Sequence, residues 1–305
     1  MAQNRSIEEI LTHIVNQTPC QGESSGMSPG FRAILGAYQN VPYWSEAGLE
    51  MKKNLPEPLD AGPMYNACSR LVSTLRYDKE DVETFTNKEL PRIWKDKGRV
   101  LNPATGVFIS ALINYLPGPE EIYLKTGEIP KTGFLNHLGY QIGERHEHRL
   151  HISDLSADYI AEGMVQGEVH IGDICSKSLG KGMKGGYIEA PNCQIAAGEQ
   201  MQGGEIYLKK HHITYFEGSP YACSSESVGD NMQGGKITIE GDATGIGSAM
   251  KGGEMHVTGS ALFLGGLGGI HGGSVFIEGF ATTIHQDLGE GNVVVKGELY
   301  RSIDY

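Results

Sequence analysis

Histidines are concentrated in one short stretch whose side chains are the strongest candidates for chemistry. His146, His148 and His151 lie close together, with Glu144 beside them. In an extended segment His146 and His148 share a face, and imidazoles spaced in this way can bind Zn²⁺ or a similar divalent ion. The stretch is therefore a candidate metal site. The alternative is an exposed, hydrated histidine patch, which is favoured because no H-E-x-x-H motif or cysteine partner is present.

Two glycine-containing motifs resemble catalytic loops but lack the structural context that catalysis needs. Residues 22–26 match the G-x-S-x-G nucleophile elbow around Ser24, yet the upstream segment is predicted to be helical and Pro29 interrupts the downstream one. Residues 265–269 have the glycines of a phosphate cradle, but neither a Lys-Ser/Thr pair nor a helix comes after them. We interpret both motifs as loops.

The composition limits the class of protein. The chain has 305 residues, a net charge of −12 and a hydrophobic content of 39 %, which is enough for a folded core. The negative charge argues against nucleic acid and anionic membranes as partners. The sequence contains no apolar run of about 18 residues and no recognisable secretory signal. Five cysteines without a C-x-x-C pair are typical of reduced thiols, so we expect a cytoplasmic protein.

Residue usage divides the chain into two halves. Thirteen of the 43 glycines fall in residues 1–150 and thirty in residues 151–305, whereas eleven of the 13 prolines precede residue 131. The net charge is −2 for the first half and −10 for the second. Two regions of different architecture explain these differences better than one.

The first half has the apolar periodicity of helices. Ser6 and Glu9 form a capping-box pattern, and an i, i+3, i+4 apolar stripe covers residues 7–15. Glycine- and proline-rich segments separate this stripe from later ones. The further predicted helices cover residues 31–38, 64–75 and 103–115.

A ten-residue pattern recurs through the second half. Met232-Gln-Gly-Gly-Lys-Ile-Thr-Ile-Glu-Gly returns as Met250-Lys-Gly-Gly-Glu-Met-His-Val-Thr-Gly, and Ile270 and Leu288 take the Met position in later copies. Successive copies are separated by 19, 18, 31, 18, 20 and 18 residues, and a degenerate copy precedes them around residues 150–152. The repeat is marked by five methionines and by the second glycine of each copy: Met164, Met183, Met201, Met232 and Met250, with Gly167, Gly186, Gly204, Gly235, Gly253, Gly273 and Gly291.

Each copy contains a short strand with apolar residues at its first and third positions, as in Ile237 and Ile239. Period two places both side chains on one face, which a single strand cannot bury by itself. Stacked copies bury it in a continuous core, so the repeat predicts a parallel β-helix of seven or eight coils with interior methionines and glycine corners. A left-handed hexapeptide helix is disfavoured, because Gln194 and Gln200 stand where that fold needs apolar residues.

The unit M-x-G-G-x-I-x-I-x-G, over about residues 138–298, resembles the glycine-repeat (GXGXG) β-helix domain superfamily. This superfamily includes the C-terminal domain of glutamate synthase large subunits and one of the subunits of formylmethanofuran dehydrogenase. The resemblance implies a right-handed β-helix that has no catalytic residues of its own and packs against catalytic domains or subunits. It also implies a place in a redox, one-carbon or glutamate-synthase-like complex.

The fold class predicted from both halves is α+β with two domains. A mainly helical domain of unknown role covers residues 1–120, and a β-rich transition over residues 121–150 caps the first coil. The right-handed parallel β-helix then covers residues 151–305.

The 31-residue spacing marks an insertion within residues 209–227. Insertions in solenoids collect on one face, often the binding face, and aromatic residues are enriched at interfaces. Cys223 lies in the insertion, but neither a base nor a helix N-terminus that would activate its thiol is visible. The insertion is either a plain loop or a contact for a partner or ligand through His211, His212, Tyr215, Phe216 and Tyr221.

The predicted function is a non-catalytic scaffold that positions partner subunits or domains. A stack of coils exposes unpaired strand backbone at its ends, so we expect a protein partner or a second copy at the end that only residues 296–305 can cover. Two alternatives stay open: an enzyme or metal-binding protein with a site near residues 146–151 or the insertion, and a binding module that uses the insertion. The outward strand column contains no evident carboxylate pair, which argues against a glycosidase, and a divalent metal is the one candidate cofactor.

Overall fold

The computed structural model describes most of the chain. The predicted helix over residues 7–15, the motif around Ser24 and residues 212–226 of the insertion lie outside the described residues. The described residues are 27–41, 61–96, 104–125, 135–153, 157, 159–172, 178–191, 196–211, 227–266, 268–285 and 288–300.

Helical segments precede the strands, and three of them overlap the predicted stretches. Local side chains explain two of the starts: the Ser28 hydroxyl accepts a hydrogen bond from the Phe31 N–H, and Asp78 forms a capping box with Asp81. One continuous helical segment, not predicted from the sequence, contains a π-helical turn at Phe85–Glu89 between α3 and α4. The helices are α1 (Pro29–Gln39), α2 (Ala61–Val72), α3 (Lys79–Thr84), α4 (Leu90–Asp96) and α5 (Thr105–Asn114).

The strands coil into a β-solenoid made of two sheets. A ten-stranded sheet has the order β1-β2-β4-β6-β8-β10-β12-β14-β16-β17, and a seven-stranded sheet has the order β15-β13-β11-β9-β7-β5-β3. All pairs are parallel except β16 with β17. The strands are β1 (Glu121–Lys125), β2 (Arg149–Ser153), β3 (Tyr159–Ile160), β4 (Glu168–Ile171), β5 (Ser178–Leu179), β6 (Tyr187–Ala190), β7 (Ala196–Ala197), β8 (Glu205–His211), β9 (Ser227–Val228), β10 (Lys236–Gly241), β11 (Ala243–Ile246), β12 (Met250–Val257), β13 (Ala261–Leu264), β14 (Ile270–Ile277), β15 (Ala281–Ile284), β16 (Asn292–Val295) and β17 (Glu298–Tyr300).

The solenoid confirms the coarse fold prediction and corrects its coil count. About six turns form instead of the predicted seven or eight. The end strands add no further coil, because β1 has no companion strand in the seven-stranded sheet and β17 turns back antiparallel.

Strand register places the apolar residues of every copy inside. Ile237 and Ile239 are fully buried, and Thr238 between them faces outward. Thr238 is aligned with Tyr207 on one side and His256 on the other, so equivalent residues form columns along the solenoid. These columns decide which surface side chains become neighbours.

The five repeat methionines form a fully buried column along one inner corner. Six of the seven repeat glycines adopt positive φ angles between 83° and 94°, a conformation that glycine reaches without strain. Gly291 is instead closely packed, because a Cβ there would lie 2.6 Å from Cγ2 of Ile270. Interior thioethers and glycine corners together close each turn.

Helix α5 covers the first turn of the solenoid. All ten of its residues are buried. The Ser110 hydroxyl accepts from the amide of Gly139, and Oδ1 of Asn114 accepts from the amide of Gly143. These bonds satisfy backbone groups that a solenoid end otherwise leaves unpaired.

The helices and the solenoid share one hydrophobic core. Fully buried residues of α5, such as Phe108 and Leu112, belong to the same cluster as Leu138 and Met164 of the first turns. The predicted division into two domains is therefore not confirmed.

Candidate functional site

His148, the central residue of the predicted metal site, lies inside the protein. It precedes β2 in phase with the inward Leu150 and is 1 % exposed. Its Nδ1 accepts a hydrogen bond from the Glu120 amide at 3.3 Å, and burial, with a smaller contribution from nearby His146, lowers its pKa to about 4. His148 is thus neutral near pH 7, and its Nε2 has no hydrogen-bond partner within the described structure.

The three predicted metal ligands do not converge on one point. The rings of His146 and His148 are 6.1 Å apart at 84°, whereas His151 points outward from β2. Among the residues that the structure describes, no group of three or more His, Cys, Asp or Glu side chains is arranged to hold a metal ion.

His151 instead belongs to a column of stacked rings on the outer face of the ten-stranded sheet. Its ring lies 4.6 Å from that of Tyr123 with planes 7° apart, and 5.1 Å from that of His170 with planes 14° apart. The register of β1, β2 and β4 makes these three residues neighbours, so we call them the ring column. The stacking of His151 on His170 results from their shared outward position in adjacent copies.

Carboxylates border the ring column on both sides. Oε1 of Glu121 lies 2.8 Å from Nε2 of His151. Around His170, Oε2 of Glu168 lies 3.0 Å from Nε2, and Oε2 of Glu189 lies 3.5 Å from Nδ1. Each imidazole therefore has an acidic partner.

Basic side chains neutralise two of these carboxylates. Arg149 forms a bidentate pair with Glu168 at 2.7 and 2.9 Å, and this arginine lowers the pKa of Glu168 to about 2. Lys209 pairs with Glu189 and likewise lowers its pKa. The surface is polar, but its charges are largely balanced.

A cleft of about 420 Å³ lies beside the ring column, and we call it the flank cleft. Its walls come from strands β1, β2, β4, β6 and β8 and from the residues that follow them. The strand register thus brings together residues up to 86 positions apart in the sequence, from Tyr123 to Lys209. The lining residues are Tyr123, His151, Ile152, Ser153, His170, Ile171, Gly172, Glu189, Ala190, Pro191 and Lys209.

Sequence reasoning missed the part of this site that precedes the repeat. Tyr123 and Glu121 lie on β1, which pairs in parallel with β2 although no glycine unit marks it. The available signal was the alternation of Ile122 and Leu124 with polar neighbours, which is typical of a half-buried strand. Lys209 was treated as the start of the insertion, whereas it lies on β8.

The residues predicted to contact a partner are mostly outside the described structure. The backbone of His211 ends β8. His212, Tyr215, Phe216 and Tyr221 lie outside the described residues.

The same outer face becomes apolar at the other end of the solenoid. Phe276, Val294 and Leu299 are aligned on β14, β16 and β17 and form what we call the apolar ridge. Leu299 is 49 % exposed, and nearby Phe280 is 64 % exposed beneath the ammonium of Lys296. Strand β15 pairs with β13, and its other edge has no partner strand within the described residues.

No family model, curated protein or solved structure matches this chain. The resemblance to the glycine-repeat superfamily therefore stays a prediction. None of the described helices is long and apolar enough to span a lipid bilayer.

Proposed function

We propose that the protein is a rigid, non-catalytic scaffold that binds a protein partner at the C-terminal end of its solenoid. The observation that carries this proposal is the difference between the two ends. The first turn is covered by α5, whose Ser110 and Asn114 satisfy backbone groups. The last turns present the apolar ridge and the open edge of β15.

Physical chemistry favours association at such an end. An open strand edge offers unpaired amides and carbonyls to another chain, and an exposed apolar patch beside it gains stability when covered. Strand β17 protects only the ten-stranded sheet. We also propose that the coils are right-handed, because connections between parallel strands of one sheet are almost always right-handed.

Rigidity results from the interior. Each turn contributes a buried methionine, isoleucine or leucine and a buried strand pair to a continuous core, so neighbouring turns hold one another in a fixed stack. A rod of this kind fixes the distance between whatever contacts its cap and whatever contacts its open end.

Light scattering after size-exclusion chromatography tests the proposal. The chain has a mass of 33.0 kDa, so self-association gives a larger particle, and a different partner gives a stoichiometric complex isolated from the native source. Leu299→Glu places a charge on the ridge and should abolish either assembly. Thr238→Glu, at the equivalent outward position of a middle turn, should leave it intact. A 33.0 kDa particle without a stoichiometric partner, found both for the purified chain and for the protein isolated from its native source, would contradict the proposal.

A further inference from the structure

We propose that the flank cleft binds a neutral, hydroxyl-rich carbohydrate. The cleft lies on strands β1 to β8, whereas the apolar ridge lies on β14 to β17, so this binding activity is independent of the scaffold function. It is assigned as a binding site and not as a catalytic one.

The hollow exists because three successive turns place short residues at one outward position. Two residues beyond the ring column, the chain has Ser153, Gly172 and Pro191, and Lys209 occupies this position in the next turn. A row of short side chains beside a row of rings leaves a groove that runs across the strands. Its length matches several turns at roughly 4.8 Å each.

The wall of the groove alternates apolar surface with polar edges. Because the rings of Tyr123, His151 and His170 stack on one another, they present their edges to the groove. The Ser153 hydroxyl, the Glu189 carboxylate and the Lys209 ammonium supply donors and acceptors along the groove.

Charge balance selects a neutral ligand. Among the lining residues Glu189 is paired with Lys209, and beside the cleft Glu168 is paired with Arg149. An anion or a cation would have to break one of these pairs to find an opposite charge, and this carries a desolvation cost. Paired groups nevertheless keep spare lone pairs and N–H donors that hydroxyl groups can use.

Carbohydrates fit these features as a chemical class. Their hydroxyl groups both donate and accept, which suits a row of mixed partners, and their C–H surfaces suit the apolar rims of the rings. Recognition by a few placed polar groups in a groove of several hundred Å³ is typical of small-ligand sites.

Filling the cleft provides a sharp test. A Cβ built at Gly172 meets its nearest atoms at 3.6–3.8 Å, which is ordinary contact, so Gly172→Phe can occupy the groove without displacing backbone. Gly118→Phe is the matched control, because no atom lies within 4 Å of a Cβ at that position and it is not part of the cleft. Thermal unfolding of both variants checks that each is folded.

The full-length protein is titrated by NMR and calorimetry with maltotriose, cellotriose, xylotriose and N-acetylchitotriose, and with trigalacturonate as the anionic comparison. We expect saturable binding of at least one neutral trisaccharide, weakened at least tenfold by Gly172→Phe and unchanged by Gly118→Phe. His170→Ala should weaken the same binding. Binding of trigalacturonate alone, no saturable binding to any probe, or equal affinity in folded Gly172→Phe would overturn the proposal.

Discussion

The terminal methyl group of Met201 lies 2.6 Å from the position that a Cβ of Gly235 would occupy. Gly235 belongs to the next turn of the solenoid and has a φ of 88°. The same relationship joins Met164 to Gly186 at 2.6 Å and Met183 to Gly204 at 2.5 Å. Each methionine thus fills the space that the glycine of the next copy leaves, and we call this relationship the interlock.

Replacing that glycine should be strongly destabilising. Gly235→Ala forces a Cβ into the Met201 methyl group and into positive φ, and we expect a loss of roughly 2–4 kcal/mol in the free energy of unfolding. Urea denaturation measures the change. Gly118→Ala, at an open position without positive φ, is the control and should change stability by less than about 0.5 kcal/mol. Equal stability of the two variants would contradict the interlock.

The stability that the methionines contribute should depend on the volume of the side chain more than on its sulfur atom. Met201→Ala leaves a cavity in the fully buried column and should cost about 2–5 kcal/mol. Met201→Leu should cost less than about 1.5 kcal/mol, because Ile270 and Leu288 already occupy the equivalent position in later turns. Thermal unfolding of the two variants gives the comparison, and a Leu variant as unstable as the Ala variant would be incompatible with this explanation.

Asn114 should carry much of the attachment of α5 to the first turn. Its amide nitrogen donates to Oη of Tyr65 at 2.8 Å and to the carbonyl of Gln141 at 3.1 Å, and its Oδ1 accepts from the Gly143 amide. Asn114→Leu leaves the buried Gly143 amide without this acceptor and removes one hydrogen bond each from Tyr65 and Gln141, so we expect a loss of about 2–3 kcal/mol.

Hydrogen exchange locates that effect. The Gly143 amide should exchange faster in Asn114→Leu, while amides of β10 keep their protection. Asn40→Leu is the control, because the half-buried Asn40 side chain donates to the Gly36 carbonyl at the end of α1, and its loss should cost less than about 1 kcal/mol. Unchanged exchange at Gly143 would show that other contacts hold the cap.

His148 should make stability fall under mild acid. Its pKa is lowered from 6.5 to about 4 in the folded protein, so the unfolded chain binds a proton at a higher pH than the folded chain does. Its contribution is therefore complete above pH 6.5, is lost as the pH falls from 6.5 to 4, and does not change further below 4. With about 1.4 kcal/mol per unit and allowance for solvent screening, the loss is on the order of 2 kcal/mol.

His148→Gln isolates this titration. Glutamine keeps an acceptor for the Glu120 amide but does not ionise between pH 4 and 6.5. Urea unfolding at several pH values should show a smaller slope for the variant than for the wild type in that interval. Equal slopes would mean that other groups dominate the acid response. Glu168, with a pKa lowered to about 2, loses its contribution between pH 4.5 and 2 and so overlaps the interval only between pH 4.5 and 4.

The repeating part of this protein can be predicted from its amino-acid sequence alone. The spacing of Met201, Met232 and their equivalents, the glycines three residues later, and pairs such as Ile237 and Ile239 specify a stacked solenoid, because each copy buries its apolar face only against its neighbours. The burial of His148 could also be predicted from the alternation of the strand, because His148 is in phase with the inward Leu150 and His151 is in the opposite phase.

The two ends of the solenoid and the flank cleft depend instead on tertiary contacts. Strand β1 pairs with β2 across 28 residues, and this pairing brings Tyr123 onto His151 without any repeat signal. Helix α5 has the sequence of an ordinary buried helix, and only its bonds from Ser110 and Asn114 to the first turn make it a cap. The physical reason is that periodic patterns report local burial, whereas a cap and a cleft depend on which distant segments come into register.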